Sequence, residues 1–199
     1  GAVARGFRNP SFKELYLYKM ANSELEPEMM TNYEVGVGKT FGPLLSVDLT
    51  GYISHGTNLI AVLDGKNQNM GKFTNKGVEL TIKSKPLKWM GVQANYSFMH
   101  TDVDNLTGAP RHQYYLALDL MPHPKWELHP QLKGANRLFV SQDTDLQNFA
   151  LLGIKASYSP TKWLQLFVAA DNLTDAHYCI MKGYEMPGIS AQGGFRLNF

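Results

Sequence analysis

Apolar and polar residues alternate along most of this chain with a period of two. Met90, Val92, Ala94, Tyr96 and Phe98 are separated by Gly91, Gln93, Asn95 and Ser97. Leu45, Val47, Leu49 and Ile53 alternate with Ser46, Asp48, Thr50 and Tyr52. Val78, Leu80 and Ile82 flank Glu79 and Thr81, and Tyr114, Leu116, Leu118 and Leu120 alternate with Gln113, Tyr115 and Asp119. The last segment sets Phe195, Leu197 and Phe199 against Arg196 and Asn198. Successive strand residues point to opposite faces, so this pattern predicts strands with one greasy and one wettable face. Helical spacing near 3.6 is not sustained anywhere; one short helical turn is expected within 11–20.

Ten strands follow, at 1–7, 31–41, 44–63, 69–84, 88–101, 110–121, 125–140, 147–159, 162–172 and 189–199. Most reach ten residues, where a globular strand usually has about 5–6 and a tilted membrane strand needs about 9–11. The connections alternate in character. Thr40-Phe41-Gly42-Pro43, Lys85-Pro86-Leu87, Pro122-His123-Pro124 and Ser159-Pro160-Thr161 are tight turns, because proline cannot donate to a strand ladder. The segments 64–69, 101–110, 140–145 and 174–188 are longer and polar. Three short turns lead into Lys88-Trp89, Lys125-Trp126 and Lys162-Trp163, with the tryptophans 37 residues apart. Short turns at one end and long loops at the other are the habit of outer-membrane barrels. Trp89, Trp126 and Trp163 are then membrane-interface residues, their amphipathic rings in the headgroup layer.

Composition sharpens this picture. The chain has 199 residues, of which 44% are hydrophobic, 12% aromatic and only 18% charged. A net charge of +2 gives no broad nucleic-acid footprint. The single cysteine, Cys179, excludes an internal disulfide framework. The longest apolar run, 149–154, is far below the roughly 20 residues of a membrane helix, whereas barrel strands escape such a scan. Residues 1–7 do not read as a signal peptide, and the chain is expected to be a piece of a longer one.

Motifs narrow the class. Gly6-Phe7-Arg8-Asn9-Pro10-Ser11-Phe12-Lys13-Glu14-Leu15-Tyr16 resembles the Phe-Arg-Ala-Pro box of TonB-dependent outer-membrane receptors, with Asn9 where the family often has Ala. Asn22-Ser23-Glu24-Leu25-Glu26-Pro27-Glu28 resembles the following Asn-Pro-x-Leu-x-Pro-Glu segment, with Ser23 where Pro is frequent. Asn32-Tyr33-Glu34-Val35-Gly36, Thr74-Asn75-Lys76-Gly77-Val78-Glu79-Leu80, Asp171-Asn172-Leu173-Thr174-Asp175-Ala176-His177-Tyr178 and Gly183-Tyr184-Glu185-Met186-Pro187-Gly188 continue the match in family order. The resemblance implies an all-β fold, a transmembrane antiparallel β-barrel of which about ten strands are present here. Residues 1–199 are expected to be the C-terminal segment, without the plug domain and the N-terminal strands. It implies active import of a scarce nutrient of the siderophore-iron, cobalamin or haem class across the bacterial outer membrane, energised by TonB through the plug region. The 10–22 segment lacks the His that haem receptors carry there. Expected partners are TonB, outer-membrane lipid, the barrel assembly machinery and a small nutrient ligand, with no nucleic acid and no cofactor. Phe199 is the expected assembly signal.

The residues themselves leave two alternatives open: a passive channel or adhesin barrel, and a soluble β-sandwich binding module. Ligand contacts are expected where aromatic and charged groups converge in long loops, with Arg8, Tyr16, Lys66, Asn67, Tyr184 and Met186 as candidates. Glu34, Asp48, Glu79, Gln93, Asp119 and Arg196 are expected to line the interior. The six histidines have no zinc-type spacing, the Asp102-x-Asp104-Asn105 stretch lacks the rest of a calcium loop, and no nucleophile elbow, phosphate loop or dinucleotide fingerprint suggests an enzyme.

Overall fold

The computed structural model describes residues 1–141 and 145–198. The chain opens with β1 (Ala2–Arg8), a single helical turn α1 (Phe12–Tyr16), β2 (Glu28–Phe41) and β3 (Leu45–Thr57). A small hairpin, β4 (Ile60–Leu63) and β5 (Lys66–Asn69), precedes β6 (Lys72–Leu87) and β7 (Met90–Thr101). Then come β8 (His112–His123), β9 (Trp126–Phe139), β10 (Leu146–Tyr158) and β11 (Leu164–Asp171). A second small hairpin, β12 (Cys179–Met181) and β13 (Tyr184–Glu185), leads to β14 (Ser190–Leu197).

Ten of these strands form one sheet in the order β1-β2-β3-β6-β7-β8-β9-β10-β11-β14, so consecutive long strands are neighbours. The registers of β1 with β2, β7 with β8, β8 with β9, β9 with β10, β10 with β11 and β11 with β14 are all antiparallel. This is an up-and-down meander, as expected, and β2, β6 and β9 reach 14, 16 and 14 residues. The helical turn expected within 11–20 is α1. Ser11 caps it: its hydroxyl accepts from the Glu14 amide, and the Glu14 carboxylate accepts from the Ser11 amide at 2.7 Å.

One expected strand is shorter than the alternation implied, and one expected loop carries strands of its own. The 44–63 segment breaks at Asn58, which adopts a left-handed φ of 62°; β3 stops there and β4 departs into its own two-stranded sheet with β5. Its tight turn is Asp64-Gly65, both with positive φ, the two-residue geometry that matches strand twist. Likewise the 174–188 loop contains β12 and β13.

Two compact units divide the chain. One comprises Gly1–Gly36, Thr50–Val78 and Met99–Asp104; the other comprises Val37–Leu49, Glu79–Phe98 and Asn105–Phe199. In the first, register places Val3 beside Tyr33 and Phe7 beside Met29 on one face, with Val3 and Phe7 each 69% exposed. The other face holds Asn32, whose amide oxygen accepts from the Ser54 hydroxyl at 2.6 Å. In the second unit, Leu166 pairs with Phe195 and Val168 with Ala156 on an apolar face, Phe195 being 67% exposed. Its opposite face carries the pairs His129–Asp119 at 2.8 Å and Gln131–Asp171 at 3.3 Å. A water-soluble sheet buries its apolar rows; here the apolar rows stay open and the polar rows bond to one another. That arrangement does not fit the β-sandwich alternative.

Candidate binding site beneath the β12–β13 loop

The polar face of the second unit ends, near the long loops, in a cavity of about 500 Å³. Its floor is two rows of the ladder. Asn95, Tyr115, Lys133 and Leu151 are mutual register partners across β7, β8, β9 and β10; Ser97, Gln113, Ala135 and Phe149 form the next row. Glu79 and Thr81 of β6 close one side, and Tyr178, Ile180 and Met186 come from the β12–β13 loop as a roof. Alternation therefore delivers amide, hydroxyl and charged groups to one surface, and the loop adds aromatic and thioether surface above them.

The roof is built, not draped. Asn172 is buried, sits at a φ of 53°, and ties both ends of the loop. Its amide nitrogen donates to the carbonyls of Ala176 at 3.0 Å and Pro187 at 3.2 Å, and its oxygen accepts from the Ala176 amide at 2.9 Å. Asparagine suits the role because its short amide mimics a backbone turn and tolerates the left-handed region. Asp175 accepts from the Ile189 amide at 3.1 Å, and a side chain at Gly188 would collide with the Asp175 carboxylate. Tyr178 stacks on Phe149 with ring centroids 4.3 Å apart. At the loop tip the Lys182 ammonium lies 2.7 Å from the Asp145 carboxylate, which this contact pulls below its usual pKa.

Below the cavity, the polar groups are mutually engaged: the Tyr115 hydroxyl donates to Gln131 at 3.3 Å and the Gln165 amide to Glu127 at 3.4 Å. Within it, Glu79, Asn95, Ser97, Gln113 and Lys133 have no side-chain hydrogen-bond partner among the described residues. Carboxylate and ammonium lie on β6 and β9, three strand spacings or about 14 Å apart. Such a surface grips a small amphiphilic molecule: polar groups orient it, and the rings cover its apolar part. Among the described residues no three His, Cys, Asp or Glu converge as a metal site.

Of the sequence candidates, Met186 lines this cavity, while Tyr184 points away, 70% exposed. The other four lie in the first unit. Arg8 bridges two carboxylates, with Nε 2.7 Å from Glu28 and Nη1 3.0 Å from Glu14. Glu28 also accepts the Ile60 amide at 2.7 Å, so Arg8 links both family boxes to the start of β4. Asn67 is buried; its side chain donates to the Glu14 carbonyl at 3.2 Å, and its carbonyl accepts from Asn22 at 2.9 Å. Both residues thus hold the loop around α1. Tyr16 is exposed and packs on Phe12, and Lys66 is exposed at the start of β5. Trp89, Trp126 and Trp163 are each about half exposed at short-turn ends, Trp126 against Tyr158 at 4.7 Å. Phe199 lies outside the described residues. Sequence reasoning missed Lys133, Tyr115, Phe149 and Tyr178 as site residues; the signal was the polar row of each strand read close to its long-loop end.

The comparisons agree with this architecture. The copper transporter OprC superposes with a TM-score of 0.79 at 18% identity, over 99% of this chain and 36% of that one. The ferric enterobactin receptor PfeA of Pseudomonas aeruginosa gives 0.76 at 17% identity, over 99% and 37%. The ferric-catecholate import receptor Fiu of E. coli K12 gives 0.75 at 14% identity, over 99% and 32%. The chain therefore spans about a third of the length of the solved structures it resembles. The model of the TonB dependent receptor-like β-barrel family matches residues 1–173, and with motifs, meander and two-faced strands in accord this chain belongs to that family.

Proposed function

We propose that this chain is the C-terminal portion of the barrel wall of a TonB-dependent receptor in the bacterial outer membrane. The receptor imports a scarce nutrient of the siderophore-iron, cobalamin or haem class, energised through TonB. The observation that carries this reading is the exposed apolar face on strands of up to 16 residues. Water-exposed rows of that size are costly, whereas hydrocarbon accepts them and long strands span it. Among the nutrients, siderophore-iron is favoured by likeness: the neighbours include receptors named for ferric enterobactin and ferripyoverdine. The cavity under the β12–β13 loop is the ligand-contact region of this portion, with Met186 in its lining. The loop groups Arg8, Tyr16, Lys66, Asn67 and Tyr184 shape or border the approach. Trp89, Trp126 and Trp163 anchor the short-turn rim in the headgroup layer, and Phe199 signals to the barrel assembly machinery.

The test is uptake of ⁵⁵Fe-labelled enterobactin and pyoverdine by cells that depend on the complete receptor. Uptake of at least one is expected, and it is lost when TonB is deleted. Uptake that persists without TonB favours the passive-channel alternative and overturns this reading.

A further inference from the structure

The apolar face of the first unit is interrupted, between the Val3–Tyr33 and Phe7–Met29 rows, by basic and hydroxyl groups. Near the long-loop termini of β1, β2, β3 and β6, Arg5, Thr31, His55, Thr57, Lys72 and Thr74 line a second cavity of about 360 Å³. Register places Arg5 opposite Thr31, on the same face as the Val3–Tyr33 pair. The His55 ring meets Tyr33 edge-on with centroids 6.2 Å apart, and its Nδ1 lies 3.2 Å from the Thr74 hydroxyl. Those contacts fix His55 and Thr74 on the greasy face. Lys72 and Lys76, two residues to either side of Thr74 along β6, share that face by strand parity. Arg5, Lys72 and Lys76 are exposed and form no ion pair among the described residues. The carboxylate bonded nearby, Asp102, is engaged by the Thr74 amide at 2.7 Å.

Resting on the membrane reading above, we propose that this basic, hydroxyl-rich pocket binds the phosphorylated headgroup of a membrane glycolipid. Three facts select a lipid over a free anion. The pocket opens on the apolar face, not the polar face where a nutrient would pass. Arg5 lies two residues, about 7 Å of strand rise, beyond the exposed Val3 and two before the exposed Phe7 on the same face, so the cations sit between an aliphatic row and an aromatic of the kind that marks the headgroup layer. Exposed apolar side chains next to it, Val3 and Tyr33 among them, offer acyl-chain contact in continuity with the phosphate contacts. The chemistry is ordinary: guanidinium and ammonium groups pair with phosphate oxygens, and threonine hydroxyls donate to the rest.

The experiment uses the complete receptor in detergent micelles, with bisphosphorylated lipid A as probe and native mass spectrometry as readout. Bound lipid A is expected, with affinity falling on the order of fivefold for each basic residue removed in Arg5→Gln, Lys72→Gln and Lys76→Gln. Lipid A stripped of its phosphates should bind much more weakly, and millimolar inorganic phosphate should not compete. Equal binding by the folded triple variant, checked by its heat-dependent gel mobility, overturns the proposal. So does full competition by inorganic phosphate, which marks a plain anion site. A receptor that fractionates with the outer membrane yet ignores lipid A sinks this inference alone; one extracted without detergent sinks the membrane reading itself.

Discussion

Arg8, Glu14 and Glu28 show how family motifs turn into mechanics. The first box supplies Arg8 and Glu14, the second supplies Glu28, and the guanidinium closes both onto one point. Hydrogen bonding to Arg8, reinforced by the Ser11 amide and hydroxyl, holds the Glu14 carboxyl down at about 2, against an ordinary value of 4.5. A depressed carboxylate contributes stability that is fully present above its unfolded value and lost as pH falls through the folded one. The α1 turn should therefore keep its protection between pH 7 and 4.5 and lose it progressively from there toward 2. Hydrogen exchange of residues 12–16 across that range is the measurement. Glu14→Gln should exchange faster at neutral pH and show a flat profile; a wild-type profile in the variant would remove Arg8–Glu14 as the cause. Both side chains are partly exposed, so the pair steadies a loop more than it stabilises the barrel.

At the level of strands, three glycines let aromatic rings lie across the ladder. A side chain at Gly56 would run into the Phe73 ring, at Gly134 into Tyr114, and at Gly194 into Phe167. The bare backbone loses packing surface, and the neighbouring ring restores it. Gly56→Val and Gly134→Val should displace Phe73 and Tyr114 and destabilise by about 1–3 kcal/mol each. Loss of the folded, heat-modifiable band at lower temperature is the readout, and unchanged melting would mean the rings are free to move aside. Strand number, order and the two-faced pattern were legible because period-two alternation is a local property. The break at Asn58 was not, because Gly56 and Asn58 stand singly, with no proline or paired turn residues, before an apolar run that resumes at Leu59. What holds the turn there are distant side chains: the Asn58 amide donates to the Glu26 carboxylate at 2.9 Å, across 32 residues, and the Asn69 amide donates to the Asn58 carbonyl at 2.8 Å. The cavity was half legible. Met186 and the wall residue Glu79 came from the sequence, but the meeting of Lys133 with Phe149 and Tyr178 depends on register and on a loop folded back by Asn172.

For the molecule as a whole, the decisive property is that each sheet face keeps one chemical character from the short-turn rim up to the basic groups near the long loops. The short-turn rim should then hold Trp89, Trp126 and Trp163 at one depth. In a receptor variant retaining only these three tryptophans, lipids brominated near the headgroup should quench emission more than lipids brominated deep in the chain. Stronger quenching by the deep label would place the rings in hydrocarbon and disprove the rim assignment. The cavity has a further consequence. Its wall is contributed by five separate strands, whereas its cover comes from a single contiguous stretch fastened at both ends by one asparagine. Such a cover is an exchangeable cassette: recombination or drift within a few codons can rewrite what is admitted while the scaffold, and the folding information it carries, stays untouched.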